Sequence, residues 1–328
     1  MANFDDEELE ELNYNDFKSQ EDYQPSPAVE EELPTDTSQA EEKSPKARTY
    51  KHTNDVQVTV SDKSTPIVVL FGPPACGKTM TLIRLSRYLK TIQGGYRIEP
   101  VRSFRPSDDA DYLQMCDEFP NMLNSSEAAD ATDRMSFMLV GVSRNVGQPI
   151  CQILEAPGEL YFNPAKPSEQ DPLYLTKIHA TPNKKVWIIF LEPEWLDETN
   201  RNAYVERIKN LKAKMSSKDR VIFLGNKVDK KAEYIKAPGE VNEQAYRDYF
   251  CSFKGGGLYQ GLFAPFKDTR PIISFFKPYD CDFVPFMTGS YVKGSGSKLK
   301  FVEESDKYPQ KLWNKILKSV GRSWKQYR

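Results

Sequence analysis

Residues 72–79 read Gly-Pro-Pro-Ala-Cys-Gly-Lys-Thr, a G-x-x-x-x-G-K-[ST] pattern placed directly behind the apolar run Pro66-Ile67-Val68-Val69-Leu70-Phe71. Chemistry at this spacing means wrapping a polyphosphate in backbone N–H groups. Gly72 and Gly77 let the main chain turn tightly and approach the phosphates. Pro73, Pro74, Ala75 and Cys76 form the span between them, and Met80 continues the cradle into a helix. The N-terminus of that helix adds partial positive charge. Lys78 is placed to reach the outer phosphates and the Thr79 hydroxyl to ligate Mg²⁺. A Gly-rich turn without a ligand has the same residue types, but it does not require strand, loop and helix in this order.

The elements that must hold such a loop are legible as alternating strands and helices. Strands are predicted at 66–71, 136–142, 150–155, 186–191, 220–225 and 283–288, and helices at 78–90, 198–214, 242–250 and 307–325. Tyr204, Val205, Ile208, Leu211 and Met215 fall on one face of the second helix. Three strands are continuously apolar, as sheets covered on both faces require. The expected class is α/β, a three-layer α-β-α architecture with a mainly parallel twisted sheet and one antiparallel strand, made where 136–142 and 150–155 turn back on each other.

The chain has 328 residues and a formal net charge of −2, which hides an asymmetry. Residues 1–48 carry 15 Asp and Glu against 4 Lys and Arg, and are poor in Val, Ile and Leu. Such a segment cannot bury enough apolar surface to offset its ordering entropy, so residues 1–60 are predicted as a disordered acidic tail ahead of a folded domain at 61–328. No apolar run approaches the roughly 18 residues of a spanning helix. A secretory signal is not expected from so acidic an N-terminus. The five cysteines are widely spaced and match neither a zinc nor a disulfide pattern, so reduced thiols and a cytoplasmic location are expected. With only His52 and His179, histidine catalysis is disfavoured.

Behind Val221-Ile222-Phe223-Leu224-Gly225 stands Asn226-Lys227-Val228-Asp229, an N-K-x-D at a strand's carboxyl end, where α/β sheets place ligands. Between the two motifs, Glu155-Ala156-Pro157-Gly158-Glu159 closes another strand. Together these resemble the translation-factor and Ras-like class of P-loop GTPases over roughly residues 63–328. The resemblance implies that Asp229 accepts from guanine N1–H and N2–H₂, that Asn226 braces the phosphate loop, and that Lys227 lies over the base. Adenine would leave that carboxylate unpaired, which is a strong basis for discrimination. The segment at 155–159 is similar to the family's D-x-x-G. The resemblance then gives Glu155 a place near Mg²⁺, one methylene longer than the usual aspartate, and Gly158 a contact to the γ-phosphate. Glu159 stands where the residue orienting the attacking water is often glutamine, and its charge should be repelled by the phosphate unless neutralised. Thr132 is the candidate switch threonine and third metal ligand. Thr288 and Gly289 are candidates for the small-residue loop that approaches the guanine O6.

Two segments exceed the minimum for that family, at 92–131 and 252–282, and are expected to be insertions, the first with a short helix near 109–118. Arg102 or Arg105 in the first could serve as an arginine finger in cis. The final helix carries Lys307, Lys311, Lys315, Lys318, Arg322 and Lys325 on one face, read first as a solvated cationic face and second as a dock for an anionic partner: a membrane surface, nucleic acid or the chain's own acidic tail. Nothing marks a reader of DNA sequence, and the effector or activator is not specified. The leading reading is a Mg²⁺-dependent GTP-binding switch with slow hydrolysis of GTP to GDP. A GTP-binding scaffold of weak catalytic power is the second. An AAA-like ATPase is the third, since Gly72-Pro73-Pro74 also suits such motors, although Ile188–Glu192 lacks their aspartate.

Overall fold

The computed structural model describes residues 56–92, 95–125, 137–144, 147–163, 166, 170–171, 173–194, 197–252, 256–268, 279–293 and 299–321. These fall in one compact unit, Pro45–Arg328. The acidic segment before residue 56 and Thr132 lie outside the described residues.

The core strand is β1 (Ile67–Phe71), buried at every position. Around it run β2 (Tyr96–Pro100), β3 (Met138–Arg144), β4 (Pro149–Glu155), β5 (Lys185–Leu191), β6 (Arg220–Gly225) and, after a short hairpin of β7 (Ile235–Ala237) and β8 (Glu240–Val241), β9 (Asp282–Pro285). They form one seven-stranded sheet in the order β2-β3-β4-β1-β5-β6-β9. Only β3 opposes its neighbours, pairing antiparallel with both β2 and β4, while the remaining contacts are parallel. This is the expected three-layer α-β-α class with one antiparallel strand.

Helices cover both faces. On one lie α1 (Lys78–Thr91) and α2 (Ala110–Asn124), joined by the last helix, α7 (Lys307–Val320). Arg84 of α1 is 1% exposed and spans Glu303 Oε2 at 3.0 Å, the Glu304 carbonyl at 2.8 Å and Asp306 Oδ1 at 2.6 Å. The charge is tolerated because both terminal guanidinium nitrogens find oxygens. On the other face, Phe71 of β1 packs against Tyr161 of α3 (Gly158–Tyr161) and Tyr204 of α5 (Glu198–Lys214). His179 of α4 (Leu173–Ala180) stands edge-on to Trp187 on the same side. The helix α6 (Glu243–Phe250) flanks β9 through Tyr246, Phe250 and Phe283.

Several local expectations shift. The strand expected at 283–288 ends at Pro285, which has no N–H to extend a ladder. The chain then bends inward, and the Phe286 N–H bonds the Gly225 carbonyl at 2.8 Å. The helix near 109–118 extends to Asn124, held by Tyr112, Cys116, Phe119 and Leu123 at helical spacing. It lies with β2 inside the 92–131 insertion; β2 was not anticipated and supplies a sheet edge. α7 stops at Val320 because Gly321, at φ 86°, forms its left-handed cap. Residues 258–266 pack Phe263 and Phe266 onto Phe223, so this part of the second insertion covers β6. A second hairpin, β10 (Gly289–Lys293) with β11 (Leu299–Glu303), leads into α7.

Candidate functional site

The order of strands reverses at β1, whose neighbours are β4 and β5, and the loop 72–77 leaves β1 at that switch point. Open α/β sheets hold ligands there. The loop closes with Ala75 at φ 57° and Gly77 at φ 88°, both left-handed, before α1 begins at Lys78. A Cβ on Gly72 would lie 2.7 Å from Cys76 Sγ and 2.9 Å from Phe190 Cβ, so the turn has no room for a larger residue there.

Lys78 is buried at the loop's centre, donating to the carbonyls of Gly72 at 3.1 Å and Pro73 at 2.8 Å. Its ammonium is thus aimed across the loop from the inside. The Thr79 hydroxyl donates to Glu155 Oε1 at 2.9 Å, and both side chains are buried. Glu155 ends β4, next to β1, which brings two residues 76 positions apart into contact. A hydroxyl and a carboxylate are hard oxygen donors, the set that Mg²⁺ takes alongside substrate phosphates. These two residues therefore fit that ion.

Gly158 begins α3 directly against the phosphate loop. A Cβ there would come within 2.1 Å of the Pro74 nitrogen and 2.2 Å of the Pro73 carbonyl carbon. Only glycine permits this approach. Glu159 follows in the same helix by its backbone. Cys76 is buried, which pushes its thiol up to about 11 and leaves it a packing residue. Met80 is likewise buried at the start of α1.

The N-K-x-D segment emerges from β6 and grips this loop. Asn226 donates its side-chain amide to the Cys76 carbonyl at 2.8 Å, and Lys227 donates Nζ to the Ala75 carbonyl at 3.3 Å. Lys227 has φ 53°, one of three left-handed non-glycine residues among the described residues. Tyr246 holds the Asn226 carbonyl at 3.1 Å from α6. Burial pushes the Asp229 carboxyl above its ordinary value, against the pull of its own backbone N–H, Lys230 and Lys227. The chain after β9 joins in, since the Val228 N–H reaches the Phe286 carbonyl at 3.2 Å. Thr288 and Gly289 follow two residues on, and Gly289, at φ 154°, opens β10.

The strand order and the junction of two distant loops across β1 and β6 decide the architecture. The chain has a doubly wound, mainly parallel α/β fold with the loop 72–77 at its switch point. No protein-family model matches the chain, and no curated protein does. Solved structures match it at low similarity. Nucleolar GTP-binding protein 1 of Plasmodium falciparum is 12% identical over 80% of this chain and 90% of that one, with a TM-score of 0.37. The Methanosarcina barkeri Roco2 RocCORdC bound to GDP is 12% identical over 80% of this chain and 51% of that one, at 0.28. The S. cerevisiae Ski7 GTPase-like domain, bound to GDP and inorganic phosphate, is 14% identical over 79% and 51%, at 0.37.

Glu192, just past β5, was not among the expected site residues. It forms an ion pair with Lys227 and is 8% exposed. Burial pushes its carboxyl up while Lys227 draws it down. The signal available in sequence was a lone acid closing a wholly apolar strand. Of the arginines in the first insertion, Arg105 is committed locally: it pairs with buried Asp109, donates to the Phe137 carbonyl and lies over the Tyr112 and Phe137 rings. Arg102 pairs with Asp117 on the surface. On α7, Lys307, Lys311 and Lys315 already face Glu240, Glu243 and Asp282. No described helix is long and apolar enough to cross a membrane.

Proposed function

We propose that this chain binds GTP and GDP with Mg²⁺ and hydrolyses GTP slowly as a molecular switch. The observation that carries the reading is the double grip of Asn226 on Cys76 and Lys227 on Ala75. It sets a base-reading segment at a constant distance from a phosphate-wrapping one, the arrangement a nucleotide needs and a polar turn does not. Asp229 then accepts from guanine N1–H and N2–H₂. Thr288 and Gly289, beyond the bend at Phe286, are assigned to the O6 side of the base.

Lys78, held by two loop carbonyls, presents its charge to the β- and γ-phosphates, and the amides from Gly72 to Met80 cradle them. Thr79 and Glu155 hold the magnesium, with Thr132 as a third ligand. When bound, the ion neutralises charge on the transferred phosphoryl group. Gly158 offers its N–H to the γ-phosphate, and Glu159 takes the place of the residue that orients the attacking water. A second reading, a scaffold that binds GTP and turns over negligibly, is favoured by Glu155 in place of aspartate, already engaged by Thr79.

Calorimetric titration with GTP, GDP and ATP tests the binding. Asp229→Asn should lose GTP affinity by at least about 100-fold and gain xanthosine triphosphate. Tighter ATP than GTP binding would overturn the guanine assignment. Single-turnover phosphate release against a Lys78→Ala control separates switch from scaffold, since equal rates leave only the scaffold.

A further inference from the structure

The two loops of the nucleotide site are joined by Asn226 and Lys227, but the lysine has a third neighbour that the motif does not include. Glu192 sits immediately beyond β5, and its carboxylate receives the Lys227 ammonium. The same ammonium reaches the Ala75 carbonyl. Lys227 is thus held between an acid on one side and the phosphate loop on the other. Its backbone is left-handed, uncommon for a residue other than glycine.

The corner carrying Glu192 is itself fixed from outside the basic fold. The Tyr259 hydroxyl, in the segment after α6, donates to the Glu192 carbonyl at 3.0 Å and is fully buried. Tyr249 of α6 donates to the Pro193 carbonyl at 3.0 Å. Two tyrosines therefore grip successive carbonyls of one turn. A turn with no task beyond linking β5 to α5 would have water for those carbonyls, with no buried tyrosine such as Tyr259 committed to it.

We infer that Glu192 is a positioning residue for the guanine base: it holds the Lys227 side chain in the plane-covering position, and Tyr259 fixes the corner from which it does so. The inference rests on the guanine-binding reading above. Without Glu192 the ammonium keeps only its bond to Ala75 and swings toward solvent, so the base loses its cover and leaves faster. Binding is affected through dissociation, the usual locus of such changes. The second insertion thereby acquires a role, as the buttress of the base site.

The test is the dissociation rate of a fluorescent GDP derivative from the full chain. Glu192→Gln should release it at least tenfold faster, Glu192→Asp by less, and Tyr259→Phe by two- to fivefold. In a Lys227→Ala background, Glu192→Gln should add nothing, because its effect travels through that lysine. Thermal unfolding of each variant reports whether the domain is intact. A wild-type rate in Glu192→Gln, or the same fold-increase with and without Lys227, would overturn the inference while leaving guanine binding in place. Wild-type protein that retains the ADP derivative and not the GDP one would overturn both.

Discussion

Asn226 and Cys76, 150 positions apart, are joined by a 2.8 Å hydrogen bond from the side-chain amide to the main-chain carbonyl. Asn226 is 1% exposed, and Gly77 lies so close that a Cβ there would meet the amide nitrogen at 2.6 Å. The bond thus locks the end of β6 onto the turn that starts α1. Replacing Asn226 with alanine strands a buried carbonyl, at a cost of about 1–3 kcal/mol. Chemical denaturation should show that loss, and GDP affinity should fall about tenfold or more by calorimetry.

Gly158→Ala forces a methyl group into main-chain atoms of Pro73 and Pro74, which have no rotamer to yield. The expected destabilisation is about 1–3 kcal/mol, with the segment after β4 displaced from the loop. Preference for GTP over GDP should be lost. Gly141→Ala is the control, since its new methyl would meet nothing nearer than 3.6 Å. A Gly158→Ala chain as stable as that control, with its GTP preference intact, would contradict the packing.

Thr79 and Glu155 share one hydrogen bond and, on the proposed function, one ion. Glu155→Gln keeps the size and removes the charge. The dependence of GTP affinity on Mg²⁺ should shrink by at least about tenfold, while affinity in chelator stays near that of the unmodified protein. Titration of GTP at several Mg²⁺ concentrations measures both.

Arg84 ties the helix behind the phosphate loop to the start of α7 through Glu303, Glu304 and Asp306. Arg84→Ala should cost about 1–3 kcal/mol through lost charged hydrogen bonds, since the carboxylates left behind are well exposed. Arg84→Lys should restore little, since one ammonium cannot span three acceptors in a planar fork. Urea denaturation distinguishes the two variants.

His179 is held down to about 4, first by burial against Trp187 and then by nearby Lys214 and Lys185, with Asp171 and Asp219 opposing. Its folded value lies below the unfolded one near 6.5, so the unfolded chain binds more protons between them. Stability from this group is present above about pH 6.5 and declines as pH falls toward 4, by something on the order of 3 kcal/mol. His179→Phe should flatten the stability profile across that window. Proton NMR should show an imidazole, absent in the variant, that titrates near 4.

Much of the core could be read without coordinates, because continuous apolar strands such as 67–71 and 186–191 admit few environments. The phosphate loop and the N-K-x-D segment were recognisable because their chemistry demands particular residues at short spacing. β2 escaped notice since Tyr96 and Ile98 give only two apolar positions in a five-residue alternation. The extension of α2 past Pro120 escaped because proline at that point argues locally for a break, and the packing of Phe119 and Leu123 overrides it.

By itself the sequence determined that strand, Gly-rich loop and helix follow one another at 66–90, that an N-K-x-D segment closes another strand, and that helices cover both faces of a sheet. These follow from local residue identity and periodicity. Only the tertiary structure decided that Glu192 meets Lys227, that Gly158 lies on Pro73 and Pro74, and that the Tyr259 hydroxyl holds the Glu192 carbonyl. Each is a contact between residues tens of positions apart. No periodicity encodes such contacts, because they arise only when strands β4, β5 and β6 align their carboxyl ends beside β1.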